Sequence, residues 1–182
     1  MLRLSGGRRL QSPAGETARP TPSRVRLAVM NMLSAELPGA RWLDLCCGSG
    51  VMGCEALQRG AREVVAVDQD RRMAATAKAN LELVAGSQQP PARVTVIQQN
   101  VLRWLAQPHA GEGFDLIYAD PPYAAGLYAP MAEALASGPW LKGGGQLLME
   151  CSSTAIPNIP EPWAVEQQRR YGSTTVLLIR NC

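Results

Sequence analysis

The stretch from Arg41 to Asp68 leaves this chain few architectures to adopt. Arg41–Cys46 is a short apolar run that reads as a strand, and it enters Gly48-Ser49-Gly50-Val51-Met52-Gly53, a G-x-G-x-x-G turn. Val51–Gln58 then shows helical spacing closed by Gly60, and Glu63–Val67 is a second buried strand that ends on Asp68. A glycine turn between a strand and a helix, followed by an acid at the tip of the next strand, is the pattern of a nucleoside-binding βαβ unit. In a doubly wound sheet both tips open on one crevice at the carboxyl edge. Asp68 is placed there to accept hydrogen bonds from ribose hydroxyls.

The alternation continues along the chain. A helix is predicted over Arg71–Val84, a strand over Val94–Ile97, a short helix near Val101–Ala106, a strand over Phe114–Ala119 and a helix over Tyr128–Ala136. Gly143-Gly144-Gly145 precedes a strand at Gln146–Glu150, and two more strands lie near Ala164–Arg170 and Thr174–Ile179, joined at Tyr171-Gly172-Ser173. The sum is an α/β fold with a doubly wound, seven-stranded sheet, mostly parallel, with an antiparallel hairpin at one edge. Upstream, Val25, Val29, Met32, Leu33 and Leu37 recur at helical spacing, which predicts a helix capped by Ser23 and stopped at Pro38-Gly39. Residues 1–22 lack periodicity and read as an extended or hairpin arm outside one domain of residues 23–182.

The strand Phe114–Ala119 runs into Asp120-Pro121-Pro122-Tyr123. Two consecutive prolines donate no backbone hydrogen bonds and cannot continue a buried strand. The chain therefore leaves the sheet as a rigid, extended corner, with the Asp120 carboxylate and nearby carbonyls fixed in direction. Such acceptors, with the Tyr123 ring, suit a planar molecule that bears an exocyclic amine. In isolation this would be an ordinary strand-end turn; behind a nucleoside-binding loop it points to chemistry on the amino group of a nucleobase.

Asp44 stands just before the glycines. A carboxylate there disfavours the pyrophosphate that a dinucleotide would place on the helix N-terminus. It suits the ammonium of S-adenosylmethionine, which carries no phosphate. Asn100, after the third strand of this series, either bonds the adenine amine or caps the next helix. Cys46, Cys47 and Cys54 read as small packing residues.

Charge is distributed unevenly. Residues 1–26 carry Arg3, Arg8, Arg9, Arg19, Arg24 and Arg26 against Glu16 alone, a net +5, whereas the remainder has twelve basic and fourteen acidic side chains, a net −2. A basic arm on a mildly acidic body is the form of a polyanion-binding handle. The five cysteines have no C-x-x-C spacing, and His109 is alone in a loop. Free thiols in a reducing cytoplasm are expected, with no disulfide framework, metal site or histidine triad. No apolar run approaches a membrane span and no apolar leader is visible.

With these motifs placed, the chain resembles the amino-group methyltransferases that carry a [DNS]-P-P-[YFW] motif on the fourth strand. More closely, it is similar to the bacterial 16S ribosomal RNA guanine-N2 methyltransferase family. The likeness rests on Gly6-Gly7-Arg8-Arg9-Leu10, Arg19-Pro20-Thr21 through Arg24-Val25-Arg26 to Asn31, and Leu43-Asp44-Leu45 with Gly48-Ser49-Gly50. It extends to Glu55-Ala56-Leu57, Arg59-Gly60-Ala61, Asp120-Pro121-Pro122-Tyr123 and Tyr171-Gly172. It implies a class I methyltransferase, Rossmann-like fold and S-adenosylmethionine held along Asp44, Cys46, Gly48, Ser49, Gly50, Asp68, Gln69, Asn100, Val101 and Asp120. It further implies catalysis at Asp120, Pro121, Pro122 and Tyr123, and 16S rRNA bound by the six arginines named above. The partner would be the small ribosomal subunit or its assembly intermediate, and the enzyme a cytoplasmic monomer. An adenine-N6 methyltransferase or a non-catalytic RNA-binding protein on the same fold are the competing readings. A nicotinamide-dependent oxidoreductase is disfavoured by Asp44.

Overall fold

Strands β3 (Arg41–Leu45), β4 (Glu63–Asp68), β5 (Arg93–Gln98), β6 (Phe114–Ala119) and β7 (Leu141–Ser152) run parallel, and β9 (Thr174–Asn181) pairs antiparallel with both β7 and β8 (Trp163–Tyr171). The computed structural model describes residues 1–13 and 20–182. The sheet order β5-β4-β3-β6-β7-β9-β8 matches the predicted seven-stranded, doubly wound architecture. Every residue of β3 is buried, as expected for a strand covered on both faces. The crossovers reverse direction between β3 and β6, so the chain segments leaving these two neighbours flank the topological switch point.

One face is covered by α1 (Ser23–Met32), α2 (Val51–Gln58) and α3 (Arg71–Ala85), whose Val25, Val29, Leu57 and Leu81 join Trp42, Leu116, Tyr118 and Leu148 of the sheet. The other is covered by α4 (Val101–Leu105) and α5 (Tyr128–Ser137), through Val101, Leu105, Met131 and Leu135. Edge strand β8 is almost wholly exposed and carries Glu166, Arg169 and Arg170, charges that oppose further strand addition.

The structure departs from the sequence reading at four places. Pro22, not Ser23, occupies the cap of α1: its carbonyl accepts the amides of Val25 and Arg26, and Ser23 is already helical. Helix α1 ends at Met32, and Leu33 and Leu37 are buried from a run of turns instead. Strand β7 begins at Leu141 and takes in Gly143–Gly145, with a register shift opposite Phe114 and Leu116. A Cβ at residue 145 would lie 2.7 Å from Leu141 and 2.9 Å from the Asp115 carbonyl, so that glycine answers a close approach inside the sheet.

The N-terminal segment, expected outside the fold, is the fourth. β1 (Leu2–Arg3) pairs antiparallel with β2 (Arg9–Leu10), and Leu2, Leu4 and Leu10 are buried in the same cluster as Leu57 and Leu81. Asn80 locks the hairpin from α3, accepting from the Gln11 amide at 2.8 Å and donating to its carbonyl at 3.0 Å. Among the expected RNA contacts, Arg19 lies outside the described residues.

Candidate active site at the carboxyl edge of the sheet

The glycine turn after β3 is held by its neighbours on both sides. Cys47 donates its amide to the Val67 carbonyl at 3.0 Å, and the Asp120 amide donates to the Leu45 carbonyl at 3.2 Å. The chain turns at Cys46, a non-glycine residue at φ 58°, then at Gly48 and Gly50, at φ 53° and 75°. Gly50 occupies the N-terminal cap of α2, and Ser49 is buried with its carbonyl accepting from Asn80. Gly53 lets α2 approach the sheet closely: a Cβ there would lie 2.9 Å from Val64. At Gly48 no atom lies within 4 Å of a Cβ position, which leaves space beside the turn.

Two acids brace this turn from beneath. Asp44 is 2% exposed and accepts the Gly53 amide at 3.2 Å. Asp68 accepts the Gly48 amide at 2.9 Å through one oxygen and the Asp70 amide at 2.9 Å through the other. Gln69 is exposed beside it, with its side-chain oxygen accepting from Asn100 at 3.4 Å. Asn100 resolves as the cap of α4: its oxygen accepts from Leu102 at 3.0 Å and Arg103 at 3.2 Å. Val101 follows, buried, as the first residue of that helix.

The proline corner stands next to the turn because β6 is the neighbour of β3. Asp120 and Pro121 are sunk into the site, whereas Pro122 and Tyr123 are exposed, Tyr123 by 52%. Thr174 lies beside the Tyr123 phenol. Burial, then the charges of Glu150 and Asp44, hold the Asp120 carboxyl well above the usual range. Asp44 is likewise raised, by burial first and by Asp68 and Glu150 in addition, against the opposing bond from Gly53. Burial also raises Asp68 despite its two amide donors. The Cys46 thiol is pushed up to about 12 by burial and by Asp68, Asp120 and Asp44, so it packs as a neutral group.

Glu150, at the end of β7, escaped the sequence reading. It is 3% exposed, and one of its oxygens accepts from the Tyr118 phenol at 2.5 Å and from Thr21 at 3.1 Å. Its carboxyl is raised by burial, with both hydrogen bonds opposing. The one available signal was an acid closing the apolar run Leu147-Leu148-Met149.

The arginines expected to contact RNA divide. Arg3 and Arg9 are exposed on the hairpin, Arg8 is half-buried with bonds to Leu83 and Ser87 of the α3 side, and Arg24 is exposed at the start of α1. Arg26 is the correction. It is 4% exposed, pairs with Glu55 at 3.2 Å and donates to the Thr21 and Arg3 carbonyls, so its guanidinium cannot reach a phosphate.

The crowded carboxylates predict an unusual stability profile. A carboxyl whose folded pKa is raised contributes stability that is fully present below its ordinary pKa, about 4, and is lost as pH rises through the raised value. Asp44, Asp68, Asp120 and Glu150 all act in this sense. Glu63, where burial is outweighed by the Arg41 bond together with the charges of Arg41, Arg93 and Arg62, acts in the opposite one. The ligand-free protein is expected to melt at higher temperature as pH is lowered from about 8 to about 5.5. A melting temperature that falls over this interval would contradict the shared sign.

A family model described as "Conserved hypothetical protein 95" matches residues 4–180. Ribosomal RNA small subunit methyltransferase D of Haemophilus influenzae is 30% identical over 175 residues, which cover 96% of this chain and 89% of that protein. A solved putative methyltransferase from Escherichia coli, yhhF, superposes with a TM-score of 0.81 at 28% identity, covering 99% of this chain and 97% of that one. A ribosomal protein L11 methylase of Lactobacillus delbrueckii, 19% identical at a TM-score of 0.65, covers 89% of this chain and 80% of its own and shares the class I methyltransferase fold.

Proposed function

The chain belongs to the family described as "Conserved hypothetical protein 95", and from that premise we propose that it methylates the exocyclic N2 amine of a guanine in 16S rRNA, using S-adenosylmethionine. The observation that carries this reading is the junction of the two motifs: the Asp120 amide bonded to the Leu45 carbonyl sets the proline corner against the glycine turn. A methyl donor held at the turn and an amine held at the corner would then face each other across one strand spacing, about 5 Å.

The residues present fit the donor. Space at Gly48 lies beside Asp68, and Asp44 is held at the Gly53 amide of the same turn-and-helix unit; both acids favour a cationic, phosphate-free ligand and ribose hydroxyls over a pyrophosphate. Gly48, Ser49, Gly50 and the Cys46 backbone would line the methionine side, with Gln69, Asn100 and Val101 at the adenine. Because the Asn100 oxygen caps α4 and one of its side-chain N–H groups reaches Gln69, the second N–H is the group left to offer. When bound, S-adenosylmethionine supplies an electrophilic methyl on a sulfonium.

Asp120 and the Pro121 carbonyl would accept the two N2 hydrogens of the extruded guanine, drawing its lone pair out of conjugation. Tyr123, half exposed at the mouth, would stack on the base. Carboxylate charge from Asp120, Asp44 and Glu150 would stabilise the positive nitrogen formed as the N–C bond replaces the C–S bond. The nitrogen then sheds one proton along its bond to Asp120. Arg3, Arg8, Arg9 and Arg24 supply phosphate contacts, with the hairpin as the RNA handle.

Small subunits from cells lacking the enzyme, incubated with radiolabelled donor and digested to nucleosides, are expected to yield N2-methylguanosine. Label recovered as N6-methyladenosine would transfer the assignment to adenine, and no incorporation into small-subunit rRNA would overturn the reading.

A further inference from the structure

The turn joining β8 to β9 has no part in the chemistry above, yet two arginines converge on it. Arg24, at the start of α1, donates from its guanidinium to the Tyr171 carbonyl at 3.2 Å. Arg170 of β8 donates to the Gly172 carbonyl at 3.1 Å. Gly172 sits at φ 66°, and a Cβ there would lie 2.5 Å from a terminal nitrogen of Arg24. The left-handed backbone favours glycine at the turn, and the Arg24 guanidinium rests directly on it.

Five arginines elsewhere in the molecule are neutralised by ion pairs. Arg26, Arg41, Arg62, Arg93 and Arg180 each pair with a glutamate. Arg24 and Arg170 are exposed, bond only neutral carbonyls, and have no acidic partner among the described residues. Their charge is available to a ligand. The turn also has a fixed address. Thr174 pairs with Ser152 at the end of β7, the Ser153 amide donates to the Ser173 carbonyl at 2.9 Å, and Thr174 lies beside Tyr123. The turn thus borders the mouth that opens on Asp120.

We propose that Arg24 and Arg170, meeting over the Tyr171-Gly172 turn, clamp the phosphodiester backbone of the substrate RNA beside the extruded base. The inference rests on the rRNA reading above and adds Arg170 to it, placing Arg24 with Arg170 at the rim of the site and apart from the hairpin. Asp44, Asp68, Asp120 and Glu150 make the crevice hostile to phosphate, so a strand that delivers a base into it must keep its backbone outside. A guanidinium is suited to that position because its planar fork bonds two phosphate oxygens at once. The Tyr171 carbonyl holds one N–H of Arg24 and the Gly172 carbonyl one of Arg170, and the remaining donors belong to exposed side chains.

The test is the double variant Arg24→Ala/Arg170→Ala in the full chain, beside wild type. Loss of two phosphate contacts should reduce the slope of log affinity against log salt by about 1.4 for a single-stranded 16S rRNA transcript. It should also raise KM for small subunits by about tenfold or more, with kcat and S-adenosylmethionine affinity changed far less. Arg24→Lys/Arg170→Lys should restore the slope but only part of the affinity, since charge is kept and the fork lost. An unchanged salt slope and KM in the alanine variant would overturn the clamp. So would weakened binding to assembled subunits with unchanged binding to the transcript, which would assign the turn to a ribosomal protein. Transcript binding needs no methyl transfer, so an inactive wild type would defeat the functional reading while the slope still decides the clamp.

Discussion

Asp120→Ala is expected to lower methyl transfer by about a thousandfold or more, while S-adenosylmethionine affinity stays within a few-fold of wild type. Removing one preorganised electrostatic contact from an active site typically lowers kcat by about 10²–10³. Asp120 would contribute more than one, since its carboxylate both holds an N2 hydrogen and faces the positive nitrogen. The substitution leaves the corner in place: the residue 120 amide still bonds the Leu45 carbonyl, and Pro121 and Pro122 still end the strand. Stability supplies a second signature. Because this carboxylate is buried beside Glu150 and Asp44, its removal relieves repulsion, and the ligand-free variant should melt at or above the wild-type temperature near neutral pH. Loss of activity with loss of fold would instead make Asp120 a structural acid. The pH profile gives a third signature. Protonation removes the acceptor, so wild-type activity should rise with pH through a value displaced upward from the ordinary carboxylate range. Asp120→Asn keeps one acceptor oxygen, so it should retain partial activity and lose that acidic limb. A limb that persists in the Asn variant would assign it to Glu150 or Asp44.

The elements that carry the candidate site were legible because they depend on local patterns. A strand that must be buried on both faces is a continuous apolar run, as at Phe114–Ala119, which the prolines end, and the helix Val51–Gln58 was bounded correctly by its flanking glycines. The remainder failed where a distant partner overrides local preference. Gly143–Gly145 looks like a turn, but β7 runs through it because β6 approaches too closely for a side chain at Gly145. Leu2, Leu4 and Leu10 were hidden among the arginines and glycines of the arm, and only the groove between α2 and α3 gives them a place to be buried. Glu55 and Glu150 were unreadable for a related reason: acids are almost never buried unless paired, and their partners lie 29 and 32 residues away, in Arg26 and Tyr118. Asn100 shows the reverse. Both roles considered for it were local, and the helix-capping one is realised in its geometry.

Arg26 shows how far composition can mislead, and its substitution carries the largest expected effect on stability. Charge counting places it with the arginines expected to bind RNA, but its guanidinium is an internal strut. It bonds Glu55 at 3.2 Å, the Thr21 carbonyl at 2.7 Å and the Arg3 carbonyl at 2.6 Å. The same Glu55 oxygen accepts from the Ser5 amide at 2.9 Å and hydroxyl at 3.0 Å, while the other is buried without a partner. One ion pair thus ties together the N-terminal hairpin, the segment before α1, and α2. Arg26→Ala would leave the Glu55 carboxylate buried and uncompensated, which typically costs about 3–5 kcal/mol. For a chain of this size that corresponds to a fall of about 10 °C in melting temperature. Adding Glu55→Leu to Arg26→Leu should recover part of the loss, because removing both charges leaves no buried ion. Recovery should be incomplete, since Ser5, Thr21 and Arg3 would still lack partners. At temperatures where the Arg26→Ala variant remains folded, its salt slope for RNA should match wild type. A variant with unchanged melting temperature and a reduced slope would return Arg26 to the RNA-facing set and refute its internal role.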